Sequence, residues 1–597
     1  MRPSKSARPA EPVLFRASRM AATILAAILF GCSPGNPGDA ATGDAAAQDS
    51  RRLSVVEPGG QRSPYGNYLA GRFAEKTRDF ERASEALLRA LEENPDDLAL
   101  MRRTFFLSFE AGRMDVALRL AHRLDTAGTK ISLVQLLLVA ESMKTGDHPA
   151  AVRRLETMDR EDLSRYSVPL ALAWAHAGSG QTDSAIAALS PLDSDSGFTL
   201  LRQLHEALIN DIAGRTNDAD AVYRAAMGTD PGAAPNRVVH AYGNYLERHG
   251  GADKAKALYD SYGGVGADSP IIVDAARRVA ENRTPRPLVA DAVQGMAESF
   301  FDIASVLPIE RAGDFVLIYA RMALYLRPGY PLAQLLMGDV LDEFGRYREA
   351  AEVYRAVDPD SAYGWVARLR LADDYYDLGD TEAAVALLRG MSRERPERSD
   401  ALIRLGNILR YQERYDESVD AYDRAIERIG DIGRDDWTLL YSRGIALERA
   451  GRWDRAEADL LKALELQPDQ PFILNYLGYS WVEQGKNLKE ARRMLERAVE
   501  QRPDDGYIVD SIGWALYKLG EAAEAVTHLE RAVALRPQDP VINDHLGDAY
   551  WRVGRAGEAR IQWQRVLGLN PDDDLRRQID DKLKSGLAPR KAGGSGG

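Results

Sequence analysis

Residues 471–503 read PFILNYLGYSWVEQGKNLKEARRMLERAVEQRP, residues 506–537 read GYIVDSIGWALYKLGEAAEAVTHLERAVALRP, and residues 540–571 read PVINDHLGDAYWRVGRAGEARIQWQRVLGLNP. Superimposed, the three segments share a glycine (Gly478, Gly513, Gly547), a second glycine seven residues on (Gly485, Gly520, Gly554), a later alanine (Ala491, Ala525, Ala559) and a closing proline (Pro503, Pro537, Pro571). Between these markers apolar residues recur at three- and four-residue spacing, the period of an amphipathic helix. The second glycine ends one helix and the proline, which has no N–H to continue a helical ladder, ends the next. Each segment therefore predicts two helices joined by a tight turn. The first glycine and the alanine mark where those helices cross, a place that a larger side chain would overpack.

The same register runs back through the chain. The first marker recurs at Gly71, Phe105, Val139, Ala173, Ala207, Gly243, Ala304, Gly338, Ala372, Gly406, Gly444, Gly478, Gly513 and Gly547, with a period of 34 broken strongly only by the gap of 61 between Gly243 and Ala304. The crossing alanine stands at 83, 117, 151, 185, 219, 255, 350, 384, 456, 491, 525 and 559, with Val316 and Ser418 as the exceptions among fourteen positions. A 34-residue helix-turn-helix period resembles the tetratricopeptide repeat. The resemblance covers nearly all of residues 64–574, and it predicts an all-α superhelical solenoid of about fourteen repeats. At 597 residues the chain exceeds what one compact core supports, which agrees with a stack of repeats.

The boundaries follow. Residues 64–262 form an N-terminal array and 297–574 a C-terminal array. Residues 263–296, with Gly263, Gly264, Gly266, Pro270, Pro285 and Pro287, form an irregular connector or degenerate repeat. Two readings of that stretch stay open: a bend between two arms, or a decorated loop in one continuous superhelix. Beyond Pro571, Leu575, Ile579 and Leu583 recur among charged residues, so 575–597 reads as a polar capping helix and flexible tail.

The other end carries an address. A basic stretch ending at Arg19, the apolar run Met20–Phe30 and the box Leu29-Phe30-Gly31-Cys32 read as a signal peptide over residues 1–31. The box resembles that of bacterial lipoproteins, which implies acylation of Cys32, the one cysteine in the chain. Residues 32–63 (SPGNPGDAATGDAAAQDS onward) lack apolar periodicity and predict a disordered tether. Its root-mean-square span is roughly 30 Å. Ser33 after the cysteine is similar to an outer-membrane sorting signal, so the expected location is the outer membrane, facing the periplasm.

Composition removes several function classes. Hydrophobic residues make up 45% and charged residues 28%, which is ordinary soluble material, and the net charge of −13 argues against nucleic acid. One cysteine allows neither an internal disulfide nor a thiolate metal cluster, and the eight histidines form no His-Glu-x-x-His pair. No nucleotide-binding loop or nucleophile elbow is present, so the expectation is no enzyme, no catalytic residues, no metal and no cofactor.

Binding of proteins or peptides remains. Within each first helix, positions 2, 5, 9 and 12 line the concave groove of such a solenoid. In the last three repeats these are Phe472, Asn475, Tyr479 and Val482; Tyr507, Asp510, Trp514 and Tyr517; and Val541, Asp544, Asp548 and Trp551. They predict an aromatic, acidic groove for a partner segment with basic side chains, the alternative being that the aromatics pack between repeats. The C-terminal half also resembles proteobacterial repeat lipoproteins, a group similar to the outer-membrane adaptors of periplasmic carboxyl-terminal processing proteases. That resemblance implies an adaptor that presents substrates to such a protease. Scaffolding of envelope polysaccharide synthesis or secretion, or of outer-membrane protein assembly, is the alternative.

Overall fold

The computed structural model describes residues 63–194, 196–228, 234–262 and 269–588. The signal peptide, Cys32, nearly all of the tether, the Gly263–Gly266 cluster and the last residues of the tail lie outside them. Among the described residues all regular structure is helical: fourteen helix pairs, from Pro64–Lys76 with Phe80–Glu93 to Pro540–Arg552 with Ala556–Gly568, a single helix Pro270–Ala280, a terminal helix Asp573–Ser585 and short 3₁₀ turns. Each marker of the sequence register falls in the first helix of one pair.

The helices start and stop where side-chain chemistry dictates. Asp97, Asp505, Asp539 and Asp572 each cap a first turn by accepting backbone N–H groups, as when Asp539 accepts from Val541 at 2.9 Å and Ile542 at 3.0 Å. Pro471 and Pro540 occupy the first turn of their helices, where no N–H is needed. The turn glycines Gly485 and Gly520 adopt positive φ of 68° and 95°, the left-handed conformation that closes a helix without a Cβ clash. Where the sequence lacks glycine at this turn, Arg78 and Glu413 are forced into the same region, at φ 59° and 57°.

The crossings explain both the rule and its exceptions. All twelve crossing alanines, with Val316 and Ser418, are 0% exposed. Ser418 fits because its hydroxyl donates to the carbonyl of Gly406, 2.7 Å away, so no buried polar group is left over. The facing glycines make room for a large residue of the second helix: a Cβ on Gly513 would stand 2.7 Å from Leu529, and Gly338, Gly406 and Gly547 admit Tyr354, Tyr422 and Trp563 in the same way. Phe105 reverses the arrangement. The residue sixteen positions on is Ala121, and both are fully buried, so the volume has changed sides. Ala304 departs in a different manner, lying one residue from the end of helix Ala292–Ser305, with a non-helical Ala312 early in the helix that follows.

The described residues divide into two compact units, with the division in the chain between Ala384 and Val385. Helix Pro270–Ala280 packs on the two helices before it as the half-formed repeat of that stretch. The chain then turns inward. Helices Ala292–Ser305 and Ile309–Leu326 lie against the first helices of the second to fifth pairs, which line the inner face of the N-terminal array. Residues on both sides of the supposed connector thus share one body.

Candidate functional site

The inner face of the N-terminal unit is filled by the chain itself. Gly295 lies against the indole of Trp174, where a Cβ would collide with the ring. The Trp174 N–H donates to His205 Nδ1 at 3.0 Å, which leaves the other ring nitrogen of His205 facing Asp302 at 3.2 Å. Tyr319 donates to the Ser167 hydroxyl at 3.1 Å, and Tyr330 donates at 2.6 Å to Glu298, a carboxylate fully buried and ion-paired with Arg237. Further along, Arg321 donates at 2.9 Å to the carbonyl of Glu110. Burial and the nearby Asp314 push the Glu110 carboxyl up to about 7. A groove sealed by aromatic packing and buried ion pairs offers little to a partner.

In the C-terminal unit the first helices of the last three pairs present the sequence-predicted residues on one side. Their placement divides them. Asn475, Tyr479, Asp510, Asp544 and Asp548 are buried, as is Val482, whereas Phe472, Tyr507, Trp514, Tyr517, Val541 and Trp551 are half-buried. Each of the three carboxylates has a partner within the chain. Asp510 accepts from His545 Nδ1 at 2.9 Å. Lys582, carried by the terminal helix, reaches Asp544 at 2.6 Å and Asp548 at 2.8 Å. Trp563 donates to Asp548 at 3.1 Å. A carboxylate this far from water persists only when paired and hydrogen-bonded, which is why each has a partner.

These contacts set the electrostatics. Burial works against the charge on His545, but Asp510, Asp544 and Asp548 outweigh it and hold the imidazole above the usual histidine range. Burial and Asp544 push Asp548 up to about 6 against the pull of Lys582. Lys582 itself is held above its usual value, because Asp548 and Asp544 overcome its own desolvation.

What remains open is an aromatic row. Trp514 stacks on His545 with centroids 3.9 Å apart and on Tyr517 at 4.8 Å. Its indole N–H donates to Glu483 at 2.7 Å, and the Lys518 ammonium lies 5.1 Å from its ring. At the upper edge Arg502 covers Phe472 and Arg536 covers Tyr507, 5.3 and 5.0 Å from the ring centres. Asn475, 7% exposed, leaves its side-chain oxygen without a hydrogen-bond partner on this face. The position rule missed His545, Lys582, Glu483 and Lys518. His545 adjoins Asp544 one step off the sampled face, and Lys582 lies in the terminal helix, outside the three repeats considered. Among the described residues no group of three or more His, Cys, Asp or Glu side chains could hold a metal ion, and no helix is long and apolar enough to cross a membrane.

Comparison with known proteins agrees with this architecture. Tetratricopeptide-repeat family models match residues 65–97, 365–389, 397–469, 441–506 and 513–554. A TPR repeat-containing protein of Pseudomonas aeruginosa is 27% identical over 194 residues, which span 32% of this chain and 32% of that relative. Among solved structures, the Cut9–Hcn1 hetero-tetramer of APC/C is 16% identical over 88% of this chain and 97% of its own, with a TM-score of 0.37. Yeast Tom70 is 13% identical over 88% and 95%, with a TM-score of 0.33. Repeats of this kind generally serve as scaffolds for protein interaction. The described residues form an all-α tetratricopeptide-repeat solenoid.

Proposed function

We propose that this chain is a lipid-anchored scaffold of the bacterial cell envelope, tethered to the outer membrane through Cys32 and facing the periplasm. It binds a protein or peptide partner along the aromatic row of its last repeats and presents that partner to a carboxyl-terminal processing protease. The observation that carries the binding reading is the contrast between the two inner faces. The N-terminal face is occupied by helices 292–326 of the same chain, while the C-terminal row keeps Trp514, Tyr517, Tyr507, Phe472 and Trp551 half exposed. Tryptophan and tyrosine dominate binding hot spots, since each buries a large area at small entropic cost.

Internal pairing of the carboxylates changes the expected ligand. An extended segment with apolar or aromatic side chains fits a stacked Trp–Tyr row. Crosslinking in intact cells, followed by purification of the lipidated chain, tests the assignment. Recovery of an envelope protease with its substrates is the expected result, and recovery of only cytoplasmic proteins overturns it. Replacing Trp514 and Tyr517 by Ala weakens partner binding by at least about 2 kcal/mol while helicity is retained.

A further inference from the structure

The two ends of the solenoid close differently. At the C-terminal end, helix Asp573–Ser585 turns Arg576, Arg577, Asp580, Asp581 and Lys584 to solvent and buries Ile579, which is the polar outer face that a terminal repeat needs. At the N-terminal end, helix Pro64–Lys76 does the reverse. Its inner face is complete: Gly71 sits against Leu87, and Asn67 and Ala74 are buried. Its outer face exposes Tyr65 at 82%, Leu69 at 66%, Phe73 at 71% and Tyr68 at 37%, four of the eleven large exposed apolar side chains of the described residues. Tyr65, Leu69 and Phe73 are spaced by four and form one continuous stripe.

Arg72 and Lys76 are exposed along the stripe. Arg72 donates to the Tyr68 hydroxyl at 3.2 Å and lies 3.5 Å from Glu75, a carboxylate that also accepts from Nε and one Nη of Arg103, at 2.9 and 2.8 Å, so cations outnumber carboxylates beside it. An aromatic stripe flanked by cations suits the boundary between headgroups and acyl chains, where tyrosine places its ring in the apolar layer and its hydroxyl in the wet one. Only 31 residues separate Cys32 from Pro64, so this helix is the described element nearest in sequence to the lipid-bearing cysteine.

From this we infer that the outer face of helix Pro64–Lys76 docks on an anionic bilayer surface. It is a second, peripheral contact that fixes how the solenoid stands on the membrane, and it rests on the lipid-anchor reading of Cys32. The helix lies on the surface and does not enter it, since thirteen residues are too short to span.

The test uses the full chain, purified from its membrane, with a polarity-sensitive thiol label at L69C and a control label at I561C, each rebuilt into vesicles of phosphatidylethanolamine and phosphatidylglycerol. The label at position 69 is expected to be shielded from aqueous iodide in vesicles and open to it in detergent, while the label at position 561 stays open in both. The double variant R72E/K76E is expected to restore iodide access, since each cation removed from an anionic surface weakens partition about fivefold. A label at position 69 that stays iodide-accessible in vesicles overturns the proposal. So does one already shielded in detergent, because a second copy or the upstream chain would then cover the stripe. The mass of the Cys32 peptide in the same sample separates the two readings. An acylated chain with an exposed stripe refutes docking alone, and an unacylated chain with a shielded stripe refutes the anchor alone.

Discussion

Replacing Lys582 by Met removes the ammonium that pairs directly with both Asp544 and Asp548. All three side chains are at most 14% exposed, so solvent screens the pair weakly. Breaking a buried pair from one side costs about 3 to 5 kcal/mol, because the partner is left charged and desolvated. The cost depends on pH, and the sign can be worked out. Asp548 titrates at about 6 in the folded chain, above its ordinary value of 3.8. The folded state therefore binds the extra proton between those values, and stability falls as pH rises through that window. His545 is also raised when folded, so its contribution is complete below the ordinary histidine value of 6.5 and is lost as pH climbs through its folded value. Both groups make the last repeat firmest in mild acid. Without Lys582 the Asp548 value climbs further, and K582M should be hurt most at pH 8 and least near pH 5.

Hydrogen exchange of helices Pro540–Arg552 and Asp573–Ser585 is the suitable assay, since a solenoid unravels from its ends and a global melting curve dilutes the loss. Faster exchange of both helices is expected at pH 8, with most of the protection restored by adding D544N and D548N, which remove the stranded charges. An unchanged exchange rate in K582M at pH 8, or a triple variant no better than the single one, would refute the reasoning.

The other predictions concern the backbone and the filled N-terminal face. G513A puts a Cβ 2.7 Å from Leu529 and should cost about 1 to 3 kcal/mol in thermal unfolding. G390A, in the middle of helix Thr381–Glu394 with nothing within 4 Å of the added Cβ, should instead stabilise by about 1 kcal/mol. Glu413 pays for its φ of 57°, and E413G relieves about 1 kcal/mol of that strain, read as a higher denaturant midpoint. G295L drives a side chain into the Trp174 ring and should release helix Ala292–Ser305 from the inner face, seen as new protease cleavage between residues 281 and 330 with the C-terminal repeats intact.

What the sequence made legible was local. The 34-residue period, the crossing alanines and the turn glycines are each decided within one helix pair, so a register drawn from them locates all fourteen pairs. The inner packing of helices 292–326 was not legible, because Trp174 meets Gly295, and Ser167 meets Tyr319 across 152 residues, through contacts that no periodicity encodes. Lys582 stands between these cases. It lies one full period past Asp548, at the groove position of a fifteenth first helix, and Leu575 and Ile579 likewise follow Val541 and His545 by 34. The terminal helix thus occupies the place of a fifteenth first helix. The slot that holds glycine in Gly547 holds Asp581 there, and with no second helix packed over it among the described residues that aspartate is 80% exposed. Extending the register one step past the last proline places a cation opposite two carboxylates, so the charge of the groove depends on a residue outside the three repeats that define it.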